Sequence, residues 1–286
     1  MKGIILAGGE GTRLKPLTGS ISKQILPVFD KPMIYYPLST LISMGINEIL
    51  IITNPHNISI FQNLLGDGSQ WGLDLRYEVQ KEANGIAEAL IISERFINRD
   101  NVALILGDNI FFSSELNNKV AKNFSHGARI FIKDVKDPER YGVVKFQNNQ
   151  PTSIIEKPKN FISSKAVTGL YFYDDKSIDL AKDLKPSQRG ELEISDLNNV
   201  YLSNGALDVL DLGQNSIWLD AGTFASLKDS SEQIAAQQNR SGQLMGSPEL
   251  ESFKQGFFDR DKIIEYLDQS PVNDYYQLLK ENTFLF

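Results

Sequence analysis

Three short runs, "GIILA" (3–7), "EILIIT" (48–53) and "VALILGD" (102–108), are apolar at nearly every position, and segments of helical spacing separate them. A strand with one wet face alternates in polarity, whereas a strand covered on both faces reads as an unbroken apolar run. The runs therefore predict buried strands in a sheet with helices on each side. Between the first two, "KPMIYYPLSTLISMGI" repeats its apolar residues at helical spacing, with Pro32 placed for a first turn. "HNISIFQNLLGDG" predicts a helix ending at Gly66 or Gly68, "LDLRYEVQ" (73–80) a strand, and "NGIAEALIISERFI" a further helix. Strand–helix–strand repetition of this kind implies right-handed crossovers and an α/β fold with a mostly parallel sheet.

Beyond residue 125 the pattern changes. "ARIFIKDV", "YGVVKF", "TSIIEKP" and "AVTGLYFYD" read as strands with less helix between them, sheet extensions that would form one wall of a cleft. "LDVLDLG" and "IWLDAGT" are predicted to return strands to the main sheet, and from about residue 224 the chain reads as helical. Ser247 is placed as an N-cap there, followed by Pro248 and by Glu249 in the first turn. No internal repeat or low-complexity linker interrupts the chain, and we divide it into a main domain, 2–238, and a C-terminal helical extension, 239–286, packed upon it.

Composition removes several chemistries. There is no cysteine, so disulfides, thiolate nucleophiles and Cys-ligated zinc are excluded. The two histidines, His56 and His126, have no metal-ligand or base partner nearby in sequence and read as surface residues, which disfavours a serine triad. A formal net charge of −7 argues against nucleic acid or an anionic membrane as partner. No run approaches the ~18 residues of a membrane span, and the expected location is the cytoplasm.

What remains is carboxylate, Arg, Lys and glycine-rich backbone, a set suited to metal-assisted phosphoryl or nucleotidyl transfer. Gly8, Gly9 and Gly11 stand where the first strand turns outward, and a backbone without Cβ atoms can wrap an anion. Arg13 and Lys23 follow and can neutralise phosphate oxygens. Neither a Walker A ending nor a dinucleotide fingerprint fits, since no Gly-Lys dipeptide occurs and Leu14 stands where Gly or Ala would be needed. Asp108 and Asp220 each end an apolar strand, where open α/β sheets bind ligands, and could share a hard cation such as Mg2+. The same aspartates could serve instead as helix N-caps. "EKP" (156–158) leaves a strand with a carboxylate and an ammonium side by side, which could meet sugar hydroxyls and a sugar phosphate or stand as a solvated strand end.

Several segments together resemble the glucose-1-phosphate thymidylyltransferase family of sugar nucleotidyltransferases. They are "AGGEGTRLKPLT" with "SKQILPVFDKPMIYYPLSTL", "LLGDGSQWGLDLRYEVQ", "LGDN", "DPERYGVV", "EKP", "AVTGLYFYD", "PSQRGELEISDLN" and "WLDAGT", and the likeness reaches to about residue 260. The resemblance implies a Rossmann-like α/β domain with a sugar-binding β extension, a homotetramer, and dTTP and glucose 1-phosphate as substrates. By the same resemblance Leu6, Gly8, Gly9, Gly11, Thr12, Arg13, Gln24 and Asp108 would bind the nucleotide, with Gln80 and Gly85 on the thymine edge. Arg13, Lys23 and Asp108 would be catalytic, and Asp108 and Asp220 would hold magnesium. Asn109, Tyr141, Gly142, Glu156, Lys157, Val167 and Tyr171 would form the sugar-phosphate pocket.

The sequence departs from the family at "KEAN" before Gly85, at Ala221, in "NIFFSSEL", and at Leu244 and Ser247. The last two regions resemble the family's second nucleotide site at a subunit interface, so retention of feedback there is left open. Three alternatives stand beside the main reading: a UTP-using uridylyltransferase, a non-catalytic nucleotide-sugar sensor, and a dinucleotide-dependent oxidoreductase. The presence of Arg13, Lys23 and both aspartates opposes the second, and Leu14 opposes the third.

Overall fold

Successive side chains of a strand point to opposite faces, so an unbroken apolar run supplies two cores at once. The computed structural model describes residues 1–284; Leu285 and Phe286, the end of the expected C-terminal extension, lie outside the described residues. In chain order the strands are β1 (Lys2–Ala7), β2 (Pro27–Val28), β3 (Lys31–Pro32), β4 (Glu48–Thr53), β5 (Asp74–Val79), β6 (Val102–Leu106) and β7 (Asn109–Phe112). They continue with β8 (Ala128–Asp134), β9 (Gly142–Gln147), β10 (Gln150–Glu156), β11 (Lys165–Tyr173), β12 (Leu207–Asp211) and β13 (Ile217–Asp220). Ile5, Ile49, Ile51, Ala103 and Ile105 face one core, with helices Tyr35–Ser43 and Ile58–Leu65 packed over it. Ile4, Leu50, Ile52, Val102 and Leu104 face the other, under Glu88–Ile92, Ser177–Lys182 and Ile194–Ser203. Each such fully buried Val, Leu or Ile side chain contributes about 1.5–3 kcal/mol.

The centre of the nine-stranded sheet runs β6-β1-β4-β5, all parallel. β11 continues it antiparallel to β6, and then pairs with β8 and β9. β10 closes one edge against β9, while β12 runs parallel to β8. Between Val167 and Tyr171 the β11–β8 register shifts, which bends β11 and lifts the β9–β10 wing beyond the carboxyl end of β6. That wing is the expected sugar-side wall. The mostly parallel sheet flanked by helices is the fold class read from sequence.

Three local expectations need correction. Pro32 is not in a helix but in β3, paired with Pro27, because Met33 N and Ile34 N donate to Leu26 O (3.0 Å) and Gln24 O (2.9 Å). The helix starts at Tyr35, and the proline in its first turn is Pro37, where no amide hydrogen is required. The segment "NGIAEALIISERFI" is two short helices, Glu88–Ile92 and Glu94–Ile97, divided at Ser93. Its start is taken by long-range pairing: Leu192 N donates to Asn84 O (2.7 Å) and Ala87 N to Leu192 O (3.2 Å). β13 does not return to the main sheet; it pairs with β7 in a separate ribbon with Asp220 opposite Asn109. Between β8 and β11 the described residues form no α-helix, in keeping with the sparser helical pattern, and helices return at 177–182 and 194–203.

Thr223, not Asp220, caps helix Phe224–Ser241, so the N-cap alternative fails there; Asp108 leads into β7 and caps no helix. Ser247 does cap Pro248–Gln255, accepting from Leu250 N (3.2 Å). Among the described residues no helix is long and apolar enough to cross a membrane.

Candidate active site

At the carboxyl ends of β1 and β6 the sheet opens into a cleft of about 640 Å³, the general position for ligands in open α/β sheets. Gly9, Gly11, Thr12 and Arg13 line one side, and Tyr141, Gly142, Glu156 and Lys157 the other, with Lys23, Asp108 and Asp220 also lining it. Both histidines are exposed and outside it.

The glycines of the first loop serve three different purposes. A Cβ on Gly8 would come 2.8 Å from Gln80 Oε1, so Gly8 admits that amide. Gly9 has only Lys23 beneath it, at ordinary contact distance, and leaves its outer side to the cleft. Gly11 has φ +62°, a conformation that glycine adopts at little cost, and its carbonyl accepts from Thr18 Oγ1 (2.8 Å). The turn that follows is pinned by Leu14, which is fully buried, and leaves Arg13 exposed toward the cleft. Leu6 is half-buried at the end of β1, and its carbonyl accepts from Gly107 N (2.9 Å). Gln24 is buried beneath the cleft floor, bonded to Ser22. Leu6, Gly8, Gln24, Gln80 and Gly85 therefore stand behind or beside the lining and not in it.

Asp108 follows β6 by two residues and is almost wholly buried. Lys23 pairs with its Oδ2, and Asn109 Nδ2 donates to its Oδ1 (3.0 Å). Burial alone would raise this carboxyl, yet the Lys23 charge and the hydrogen bonds outweigh it and hold Asp108 below its ordinary value. Asp220 arrives through the β7–β13 ribbon, and Ala221 N donates to Asp108 O (3.1 Å). Burial first, and the Asp108 charge second, push Asp220 above its ordinary value despite Lys23, Arg140 and Arg13 nearby. Two carboxylates are thus held together at the cost of mutual repulsion. Among the described residues no group of three or more His, Asp or Glu could hold a metal ion. A donor set of two carboxylates, completed by ligand oxygens and water, fits a hard divalent cation.

Asn109, expected on the sugar-phosphate side, lines the cleft, and its side-chain oxygen is engaged by protein. Its oxygen accepts from Trp218 Nε1 (2.7 Å) and Gly169 N (3.2 Å), while its nitrogen serves Asp108. It acts on the site by fixing the Asp108 carboxylate. Gly169 makes this approach feasible, since a Cβ there would lie 2.6 Å from Asn109 Cγ. Gly169→Ala should cost about 1–3 kcal/mol of stability through overpacking. Turnover should fall at least roughly tenfold as Asn109 is displaced, read by thermal melting and steady-state kinetics.

On the sugar side Tyr141 lies against Trp218, ring centres 5.0 Å apart, and burial followed by the Asp220 charge raises its hydroxyl to about 12. Glu156 accepts from Ser195 Oγ (2.5 Å) and has Lys157 Nζ at 3.7 Å and Arg189 at 3.8 Å. Lys157 has φ +42°, unusual for a non-glycine residue, held by its N–H donating to Tyr141 O (2.9 Å). Its side chain is about half exposed at the cleft. Gly142 lines the cleft, and Val167 and Tyr171 are buried in its β11 wall.

Ten of the lining residues were not assigned from sequence, and four of them bear on the argument. Arg140 donates to Asp220 Oδ2 (3.0 Å) and Asp137 Oδ2 (2.6 Å), Ser195 orients Glu156, Trp218 orients Asn109, and Thr168 sits at the β11 bend. The segments that carry the first three, "DPERYGVV", "RGELEISDLN" and "WLDAGT", were part of the resemblance, yet their site partners Asp220, Glu156 and Asn109 are 39 to 109 residues away. Only the fold brings them together.

A family model described as nucleotidyl transferase matches residues 2–237. A glucose-1-phosphate thymidylyltransferase of Neisseria meningitidis serogroup A / serotype 4A is 49% identical over 282 residues, 98% of this chain and 98% of that protein. One from Neisseria gonorrhoeae is 55% identical over 242 residues, 84% of each chain. A solved structure of a candidate glucose-1-phosphate thymidylyltransferase from Bacillus anthracis, in complex with a sucrose, superposes with a TM-score of 0.76 at 44% identity, covering 82% of this chain and 94% of that one. A UDP-glucose pyrophosphorylase complexed with UDP-glucose shares the fold, with a TM-score of 0.71 at 22% identity over 82% of this chain and 98% of that one.

Proposed function

The chain belongs to the nucleotidyl transferase family, among its glucose-1-phosphate thymidylyltransferases, and we propose on that footing how its own residues join a thymidylyl group from dTTP to α-D-glucose 1-phosphate. The observation that carries the reading is convergence. The glycine loop with Arg13 and Lys23 and the Asp108–Asp220 pair share one cleft with Glu156 and Lys157. The loop backbone and Arg13 receive the triphosphate, and Lys23 adds charge beneath it. Lys157 holds the sugar phosphate, and Glu156, oriented by Ser195, accepts from sugar hydroxyls. A phosphate oxygen of the sugar then attacks the α-phosphorus in line. The new P–O bond forms as the α–β bridge breaks, and pyrophosphate leaves with the electron pair. Asp108 and Asp220 would hold magnesium, which when bound neutralises phosphate oxygens. The homotetramer, and the division at residue 238, belong to the same reading.

UTP is the nearest competing substrate, because a single methyl contact contributes on the order of 1 kcal/mol. Incubation with dTTP, magnesium and glucose 1-phosphate, with product identified by mass, tests the proposal; absence of dTDP-glucose, or preference for UTP at equal concentration, contradicts it. Lys157→Ala should raise KM for glucose 1-phosphate roughly 10- to 100-fold with a smaller change in kcat, as expected for loss of a charge-assisted contact. Steady-state titration of the sugar phosphate checks this.

A further inference from the structure

Gln80 directly follows β5, and its side-chain nitrogen donates to Gly85 O (3.1 Å) and Glu88 Oε2 (2.7 Å). The other oxygen of Glu88 accepts from Asn84 Nδ2 (3.0 Å). Both partners of the Gln80 nitrogen are acceptors only, so a reversed amide would set its oxygen against a carboxylate and a carbonyl. The orientation is therefore forced. Gln80 Oε1 takes no donor among the described residues, and it lies toward Gly8, next to the Gly9 that lines the cleft.

We infer that Glu88 is a positioning residue that sets base selectivity, by locking the Gln80 amide with its oxygen toward the nucleotide. The inference rests on the proposed function together with the resemblance's implication that Gln80 reads the thymine edge. An outward oxygen accepts from the imino N3–H of thymine or uracil. Cytosine presents a lone pair at that atom and is repelled. Without Glu88 only the Gly85 carbonyl opposes reversal, and the reversed amide offers cytosine a donor. The Gln80–Glu88 bond is separate from the backbone pairing of Asn84 and Ala87 with Leu192, so the loop keeps its scaffold when Glu88 is changed.

The test measures kcat/KM for dTTP, UTP and dCTP with the wild type, Glu88→Leu and Glu88→Gln, each checked by thermal melting. Glu88→Leu should narrow the dTTP:dCTP ratio by roughly tenfold or more, mainly through KM for dTTP. The dTTP:UTP ratio should stay within about twofold, because the two bases share the N3–H edge. Glu88→Gln keeps an acceptor for the Gln80 nitrogen and should recover most of the dTTP:dCTP ratio. If Glu88→Leu lowers all three nucleotides in proportion, or leaves the dTTP:dCTP ratio as in wild type, Glu88 has only a structural role and the inference is overturned. A wild type that uses neither dTTP nor UTP would overturn the functional reading itself, before any variant is measured.

Discussion

Asp108→Asn is expected to lower turnover on the order of 10³-fold while weakening dTTP binding less than about tenfold. The substitution is nearly isosteric but leaves one acceptor oxygen for two donors, Asn109 Nδ2 and Lys23 Nζ, and the site loses one of the two carboxylates that would hold a divalent cation against the transferring phosphates. The effect belongs to the transition state more than to binding, because charge moves onto the pyrophosphate oxygens as the bridge bond breaks. The same change leaves the Lys23 ammonium, only 12% exposed at the side chain, without its carboxylate. Removing one partner of a buried pair costs about 3–5 kcal/mol, so the nucleotide-free variant should also melt at a lower temperature. Single-turnover kinetics, nucleotide titration and a melting curve separate the three quantities.

Asp220→Asn should behave differently in one respect. Turnover is expected to fall roughly 100-fold or more, yet the nucleotide-free protein should become more stable. The sign follows from the raised carboxyl. A group whose folded value exceeds its unfolded one stabilises the fold below the unfolded value and loses that contribution as pH rises through the folded value. At neutral pH the ionised Asp220 therefore opposes folding, through burial first and through Asp108 second. Asparagine removes that charge and still accepts from Arg140. A gain of 1 kcal/mol corresponds to about 2–4 °C in Tm for a chain of comparable size. Opposite Tm shifts for the two aspartates, with turnover lost in both, would mark Asp220 as a residue kept for chemistry against stability.

The sequence made the parallel core legible because each of its strands, buried on both faces, declares itself as an unbroken apolar run. Gly9, Gly11 and Arg13 were legible because glycines and a cation fall within six residues of the end of β1, Lys23 as a further cation in "ISKQILP" and Thr12 only through the resemblance; all five line one cleft. Pro32 misled because proline suits a first turn and an edge strand equally, and only the pairing with Pro27 decides. The place of Asp220 could not be read from periodicity: four residues of β13 look alike whether they join the main sheet or the β7 ribbon. The resemblance placed Asn109 on the sugar side, and it lines the cleft, but no spacing in the sequence shows that Trp218, 109 residues away, bonds its oxygen. Glu88 lies within a segment whose sequence shows only helical spacing, and nothing in its distance along the chain from Gln80 shows that the two side chains meet.

The most direct test of the account is a crystal structure with Mn2+ and a dTTP analogue that resists cleavage between the α- and β-phosphorus. The account predicts one anomalous peak bound by both Asp108 and Asp220, with the triphosphate lying over the Gly9–Gly11 backbone beside Arg13. A triphosphate seated elsewhere, or a metal that touches neither carboxylate, would contradict it.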